Sequence, residues 1–330
     1  VQAGILTAKN IIDASDAQYN TRVGGNAGNS FDGTNATHNT LIGYDAGTAI
    51  TGGDRNTVVG SLAGDALTTG SYNTAIGYLS LSVCTTGTHN VAVGDNALND
   101  NNGNYNTAVG QGALYENSTA SNNTAIGYGA LQLNTTGASN TAVGAHSLDA
   151  NTTGTLNTAI GRESLTGNTT GSKNTAVGKS ALQGNTTGYG NIAMGWDALG
   201  SATICNYNTA IGYAALDAIT DSQNDATAIG AFALSSATDG VANTGVGCSA
   251  ATALTGGSQI TAIGFHAGKA ITTGSRHTIL GAYAARSITT ANDTTAVGYN
   301  ALRDNTSGTA NSALGDSCLY ANTTGSYNTA

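Results

Sequence analysis

Small and apolar residues recur in this chain every 17 residues, rather than with the short period of one strand or one helix. Residues 157–173, NTAIGRESLTGNTTGSK, are a typical copy. The phrase Asn-Thr-Ala-Val/Ile-Gly marks 18 copies, whose repeat glycines are Gly24, Gly43, Gly60, Gly77, Gly94, Gly110, Gly127, Gly144, Gly161, Gly178, Gly195, Gly212, Gly230, Gly247, Gly264, Gly281, Gly298 and Gly315. Seventeen residues cannot bury a core of their own, so the copies must stack. We therefore predict a repeat shaft over residues 19–330 and a non-repeat connector over 1–18.

The apolar positions predict a short strand just before each repeat glycine. With that glycine as position 0, position −1 is apolar in all 18 copies, as at Ile76 and Val93. Position −3 is mostly Thr but accepts Val91 and Ile192. Positions two apart on a strand share a face, so we expect −3 and −1 to point inward. The residue between them, usually Ala, should then lie on the opposite face, which a second chain could approach.

A second core column lies at position +4, which is Leu in 12 copies, as at Leu131. The other six copies carry Gly or Ala there, and each has a large apolar residue at +7, as in Gly47 with Ile50. Most Leu copies have a small or polar residue at +7. A core keeps its volume constant, so both positions should fill one interior. Residues three apart on one strand face opposite ways, so each copy must be a coil with a corner.

The polar positions indicate turns and ladders between coils. Asn-Thr-Thr-Gly, as at 134–137, is a turn signature, and we expect positive φ at its Gly. Asn occupies position −4 in 14 of 18 copies, and stacked amides can form hydrogen-bonded ladders. At a strand spacing of about 4.8 Å, 18 coils would form a rod roughly 85 Å long. The fold class predicted is all-β, a repetitive β-roll or β-solenoid. Because one coil has a thin core, we expect it to pack as a homotrimer that buries the Ala face.

Composition excludes several functional classes. The chain has 47 Gly, no Pro, 9% charged residues and a net charge of −9. Its 10 Lys and Arg residues form no basic run in the sequence, so nucleic acid is not an expected partner. No apolar run approaches the roughly 18 residues of a membrane-spanning helix, so no membrane insertion is expected. The chain starts without Met and ends within a repeat, so we expect it to be a segment of a longer protein.

Candidate chemistry is sparse. His38 and His89 share a column but lie three coils apart, about 14 Å. The cysteines occupy four different columns, and the nearest pair is also three coils apart, beyond the roughly 7 Å limit for a disulfide. We therefore expect no catalytic residues, no metal, no cofactor and no enzyme activity.

Position +1 is the candidate binding column, because its residue type varies as exposed positions do. Its aromatic side chains could stack on sugars, pack against a neighbouring protomer, or simply be tolerated at a surface. These residues are Tyr44, Tyr78, Tyr128, Trp196, Tyr213, Phe265 and Tyr299.

The phrases NTAIGYGAL, NTTGASNTAVG and NTTGSKNTAVGKSAL resemble the repeats of phage tail-fibre-domain proteins. More distantly they are similar to the head repeats of trimeric autotransporter adhesins, whose SVAIG-type strands correspond to TAIG or TAVG here. The resemblance spans roughly residues 19–330. It implies a homotrimeric, extracellular shaft on a virion or cell surface, with a host receptor or glycan as the other partner.

The function expected is therefore a stiff fibre shaft that spaces and presents a receptor-binding region. An ice-binding solenoid is the first alternative, since Thr recurs in register. It requires Thr on a flat, exposed face, whereas the strand Thr is expected to point inward. A subunit of a secreted or cell-surface filament, with coils continuing from one subunit to the next, is the other alternative.

Overall fold

The computed structural model describes residues 18–31, 35–219 and 224–330. The predicted connector, residues 1–18, lies outside the described residues except for Gln18. The chain divides into two compact units, Val1–Asn157 and Thr158–Ala330. Each unit is a parallel β-solenoid with coils of about 17 residues, which confirms the predicted all-β solenoid class.

Every regular element of the described residues is a short β-strand that ends just before a repeat glycine. The strands of the N-terminal unit are β1 Thr21–Val23, β2 Thr40–Ile42, β3 Thr57–Val59, β4 Thr74–Ile76, β5 Val91–Val93, β6 Thr107–Val109, β7 Thr124–Ile126 and β8 Thr141–Val143. Those of the C-terminal unit are β9 Thr158–Ile160, β10 Thr175–Val177, β11 Ile192–Met194, β12 Thr209–Ile211, β13 Thr227–Ile229, β14 Thr244–Val246, β15 Ile260–Ile263, β16 His277–Leu280, β17 Thr295–Val297 and β18 Ser312–Leu314.

Within each unit, successive strands pair in parallel and in register. Thr124, Ala125 and Ile126 of β7 lie beside Thr141, Ala142 and Val143 of β8, and the other pairs follow the same pattern. The segment after the glycine is not an extended strand, yet its backbone also bonds between coils. The Leu81 N–H, for example, donates to the Ala97 carbonyl at 3.0 Å. Both arms of a coil thus satisfy their backbone groups on neighbouring coils.

The predicted orientation of the strand is wrong. The middle residue points inward, as Ala125 and Ala142 show with no exposed surface. The residues at −3 and −1 point outward, and Ile126 and Ile160 are each 41% exposed. The Ala column is therefore core, not an interface for a second chain. The outward side chains of β1–β8 and of β9–β18 form what we call the strand face of each unit.

Position −2 was mis-assigned because the interior is narrow. Where +4 is Leu, −2 must be small, since both positions fill the same space. The larger −2 residues Leu41, Val58 and Ile279 occur only in coils with Gly or Ala at +4. A Cβ added to Gly47 would lie 2.9 Å from Leu41 Cδ2 and 2.8 Å from Ile50 Cδ1. A further Ala and Ser column at +3, buried in nearly every coil, also escaped the sequence analysis.

The exchange of bulk between +4 and +7 is confirmed. Leu131 and Ile50, one from each class of coil, both have no exposed surface. Gly268 shows the same exchange, because a Cβ there would lie 2.7 Å from Ile271 Cδ1. Each coil therefore turns between +4 and +7, as the sequence predicted.

Two buried asparagine ladders hold the coils together. At position −4, Asn39 Oδ1 accepts the Asn56 N–H at 2.9 Å, and Asn39 Nδ2 donates to the Gly53 carbonyl at 2.8 Å. At position +7, Asn151 Nδ2 donates to Asn134 Oδ1 at 2.7 Å. The ladder at −4 was predicted from the sequence. The Asn at +7 was predicted only to form a turn. Buried amides with partners on both sides fix the register between coils.

The glycines act differently from expectation. Gly137 and Gly171, in Asn-Thr-Thr-Gly turns, do not have the positive φ predicted for them. They are instead close to the next coil, since a Cβ on Gly137 would lie 2.3 Å from the Gly154 carbonyl oxygen. The repeat glycines, by contrast, have both a positive φ and a close contact with the next coil. Gly127 has φ of 136°, and its Cβ would lie 2.6 Å from Gly144 backbone atoms.

Candidate binding surface

All seven aromatic residues of the candidate column lie at the surface, with exposed fractions from 41% at Tyr213 to 58% at Tyr44. Each follows a repeat glycine, so its side chain leaves the coil where the strand ends. The structure brings some of them together. The Trp196 and Tyr213 rings meet edge to face at 5.3 Å, and Lys179 lies 5.4 Å from the Trp196 ring centroid.

The neighbouring position +2 adds aromatic residues that the sequence analysis did not select. Phe232 meets Tyr213 at 5.0 Å, and Tyr283 contacts both Phe265 at 5.3 Å and Tyr299 at 6.2 Å. There was a reason in the sequence to select position +2 as well, because its residue type varies as much as that of position +1. The column was missed because aromatic residues there are fewer.

Position −5 carries a second aromatic surface, on the N-terminal unit. His89 stacks between Tyr72 at 4.7 Å and Tyr105 at 4.9 Å, and Tyr19 stacks on His38 at 5.2 Å. His89 has a tyrosine ring on each face, so it presents mainly its edge to solvent. Arg55 and Tyr72 occupy the same position in the two coils between His38 and His89, and the Arg55 guanidinium lies 5.3 Å from the Tyr72 ring centroid.

Tyr128 lines a shallow groove of about 190 Å³ in the N-terminal unit. Its walls combine two tyrosines with the side-chain amides of Asn96, Gln111 and Gln132. Gly112 faces the open space of the groove, since a Cβ there would meet nothing closer than Gln132 Nε2 at 3.9 Å. Uncharged amides beside aromatic rings can donate to and accept from hydroxyl groups.

Titratable side chains are dispersed among the described residues. Burial raises the pKa of Asp65, Asp149 and Asp217, which share position +5 in separate coils. Burial also raises the pKa of the Cys84 thiol to about 11, so this thiol stays protonated and unreactive near neutral pH. No group of three or more His, Cys, Asp or Glu side chains that could hold a metal occurs in the described ranges.

Comparison with known proteins gives no match to this chain, whether against family models, curated proteins or solved structures. In the part of the chain that the structure describes, no helix is long and apolar enough to cross a membrane.

Proposed function

We propose that this chain is part of the shaft of a homotrimeric surface fibre, of the phage tail-fibre or adhesin type, that spaces and presents a receptor-binding region. The strand face carries this proposal. Its third-position residues form an apolar row on each unit, and Ile42, Ile76 and Ile126 are 38–41% exposed. A contiguous exposed apolar row is typical of a protein interface.

Physical reasons favour three copies around this face. The interior of one coil is narrow and filled largely by Ala and one Leu or Ile, so little apolar surface is buried per residue. Packing three strand faces around one axis would bury the Val and Ile row and add to that core. A structural role also agrees with the few reactive side chains and the regular ladders. The location expected is extracellular, on a virion or a cell.

Substituting lysine for two exposed isoleucines of the strand face tests the proposal. Wild type should have three times the chain mass of 32.5 kDa in multi-angle light scattering. Ile76→Lys with Ile126→Lys should give monomers, because two charges per chain would lie in an apolar interface. The matched control is Val83→Lys with Leu133→Lys, at exposed apolar positions 48% and 41% accessible on another face of the same unit. This control should remain trimeric. A monomeric wild type would contradict the trimer.

Ice binding is a second candidate, and one observation favours it. The strand Thr column points outward and not inward, so the objection drawn from the sequence does not hold. Thr124 and Thr141 lie in register beside the Val and Ile row on a parallel sheet.

The two functions use the same face, so one comparison separates them. A trimer would cover the face and show no thermal hysteresis. A monomer that gives hysteresis, lost in the Ile76→Lys and Ile126→Lys variant but kept in the Val83→Lys and Leu133→Lys variant, would establish ice binding.

A further inference from the structure

Three cationic side chains occupy position +5 in three successive coils of the C-terminal unit. They are Lys269, Arg286 and Arg303. Their backbones are held in register, since the Ala270 N–H donates to the Arg286 carbonyl and the Ser287 N–H to the Arg303 carbonyl, both at 3.1 Å. One coil separates neighbours by about 4.8 Å. In earlier coils this position is neutral or acidic, so the positive row is local.

These charges are poorly neutralised. Among the described residues, no carboxylate lies within ion-pair distance of Lys269 or Arg286, and Arg303 has only Asp304 at 3.9 Å. Arg276, by contrast, is paired with Asp293 at 2.6 Å in another column. Three like charges placed one coil apart repel one another. A chain of net charge −9 with few cations thus concentrates three of them in one row without matching carboxylates.

Two adjoining grooves follow this row and share Arg286. One, of about 340 Å³, is lined by His266, Tyr283, Arg286, Tyr299, Asn300 and Arg303. The other, of about 500 Å³, is lined by Ala253, Lys269, Ala270, Arg286 and Ser287. We call the two together the basic groove. Arg286 lies 5.7 Å from the Tyr283 ring centroid and Arg303 lies 5.2 Å from that of Tyr320, so aromatic rings help to position both guanidinium groups.

The ionisation of His266 is sensitive to the positive charges of the basic groove. Its Nδ1 is buried and makes no hydrogen bond. Burial, followed by the charges of Lys269 and Arg286, lowers the pKa of the imidazole. The groove therefore disfavours a further positive charge, as a site for an anion would.

We propose that the basic groove binds an acidic polysaccharide, carboxylated or sulfated, with its chain running along the coils. Successive anionic groups would meet successive cations, because one sugar ring is about as long as one coil spacing. Tyr283 and Tyr299 offer apolar contact to sugar C–H groups, and Asn300 can bond hydroxyls. Nucleic acid fits less well, because its binding surfaces extend positive charge over many phosphates, whereas this row has three cations on an acidic chain. All of these residues belong to one chain, so the site needs no residue from a second protomer.

Calorimetric titration of the whole chain with two probes tests the site. The probes are a heparin octasaccharide and an oligogalacturonate of the same length, which distinguish sulfate from carboxylate. At least one should bind at low salt, and binding should weaken as salt is raised, because exposed charges are screened within about 10 Å at 0.1 M. Arg286→Gln with Arg303→Gln should weaken binding at least about tenfold, since charge-assisted hydrogen bonds are lost. Circular dichroism should show unchanged melting.

Two comparisons make the result specific. Arg276→Gln removes a cation from another column and should leave the affinity unchanged. Tyr299→Ala should weaken binding, whereas Tyr44→Ala, at the same repeat position in the other unit, should not. Failure of both acidic probes to bind at millimolar concentration would overturn the proposal. Equal loss in Arg276→Gln, or tighter binding of an oligothymidylate than of both sugars, would also overturn it.

Discussion

Replacing Gly127 by alanine should destabilise the N-terminal unit by on the order of 3 kcal/mol or more, from backbone strain together with a steric clash. Gly127 has φ of 136°, where residues with a side chain are strained, and an added Cβ would lie 2.6 Å from the carbonyl carbon and oxygen of Gly144. Those atoms are backbone, and the Gly144 N–H is itself bonded to the Ile126 carbonyl at 2.8 Å. Neither coil can therefore move without losing ladder hydrogen bonds. Chemical denaturation followed by circular dichroism measures the loss.

Gly52→Ala is the matched control in the same unit. Gly52 has no left-handed φ, and its nearest neighbour to a new Cβ would be Thr69 Cγ2 at 3.9 Å, an ordinary contact. Alanine at such a position is neutral or stabilises by about 0.4–1 kcal/mol, because it restricts the unfolded chain. Equal unfolding midpoints for Gly127→Ala and Gly52→Ala would mean that contact between repeat glycines does not hold the coils at their spacing.

The sequence was sufficient to predict the period, the coil and the shared interior. These follow from volume, because the exchange between Leu at +4 and Ile at +7 makes sense only if both fill one space, as Leu131 and Ile50 do. The ladder at −4 was predictable for a similar reason. An Asn repeated at one position on stacked coils has another Asn as its neighbour, as Asn39 and Asn56 show.

The orientation of the strand was not predicted, because three residues are too few for a polarity pattern to decide. Thr, Ala and Val or Ile suggest two inward positions around a small outward one. The opposite arrangement forms because Leu from the other arm already fills the coil, which leaves room only for a methyl group at −2. A signal existed in Leu41, Val58 and Ile279, the large −2 residues in coils without Leu at +4.

The backbone of the second arm could not be predicted from propensity. Leu131 and His146 of that arm have left-handed φ of 51° and 54°, as does Ser139 before the strand at 60°, and the same three positions of every described coil share this conformation. Side chains other than Gly and Asn seldom adopt it, so no local rule would place Leu there. Hydrogen bonds to neighbouring coils compensate for the strain. The position of the exposed aromatic residues at +1 and +2 depends on that backbone.

His277 is a second sensitive point, because it replaces the ladder asparagine at position −4. The imidazole is only 2% exposed. The Ala291 carbonyl faces it, but neither ring nitrogen makes a hydrogen bond of ordinary geometry. Burial lowers the pKa of His277 to about 4 from 6.5, with smaller opposing effects from the Ala291 carbonyl and Asp293. The unfolded chain therefore binds more protons than the folded one between these two values.

Stability should consequently fall as the pH is lowered from 6.5 to about 4, by about 2–3 kcal/mol for this group. The lowered pKa of His266 acts in the same direction. The raised pKa of buried Asp65, Asp149 and Asp217 acts in the opposite direction, since those carboxyls favour the folded state in acid. The lowered pKa of Asp293, which is paired with Arg276, adds to the loss. His277 has the largest of these shifts, so we expect it to cause most of the loss above pH 4.

His277→Asn should raise the stability at pH 5 and remove more than half of the acid loss. An amide there can donate to the Ala291 carbonyl, as Asn243 Nδ2 donates to the Gly257 carbonyl at 2.8 Å. Denaturant titrations at pH 7, 5 and 4 measure the change. The control is His89→Asn, at an exposed histidine between two tyrosines, which should leave the acid loss in place. An undiminished loss in His277→Asn would show that other groups cause it.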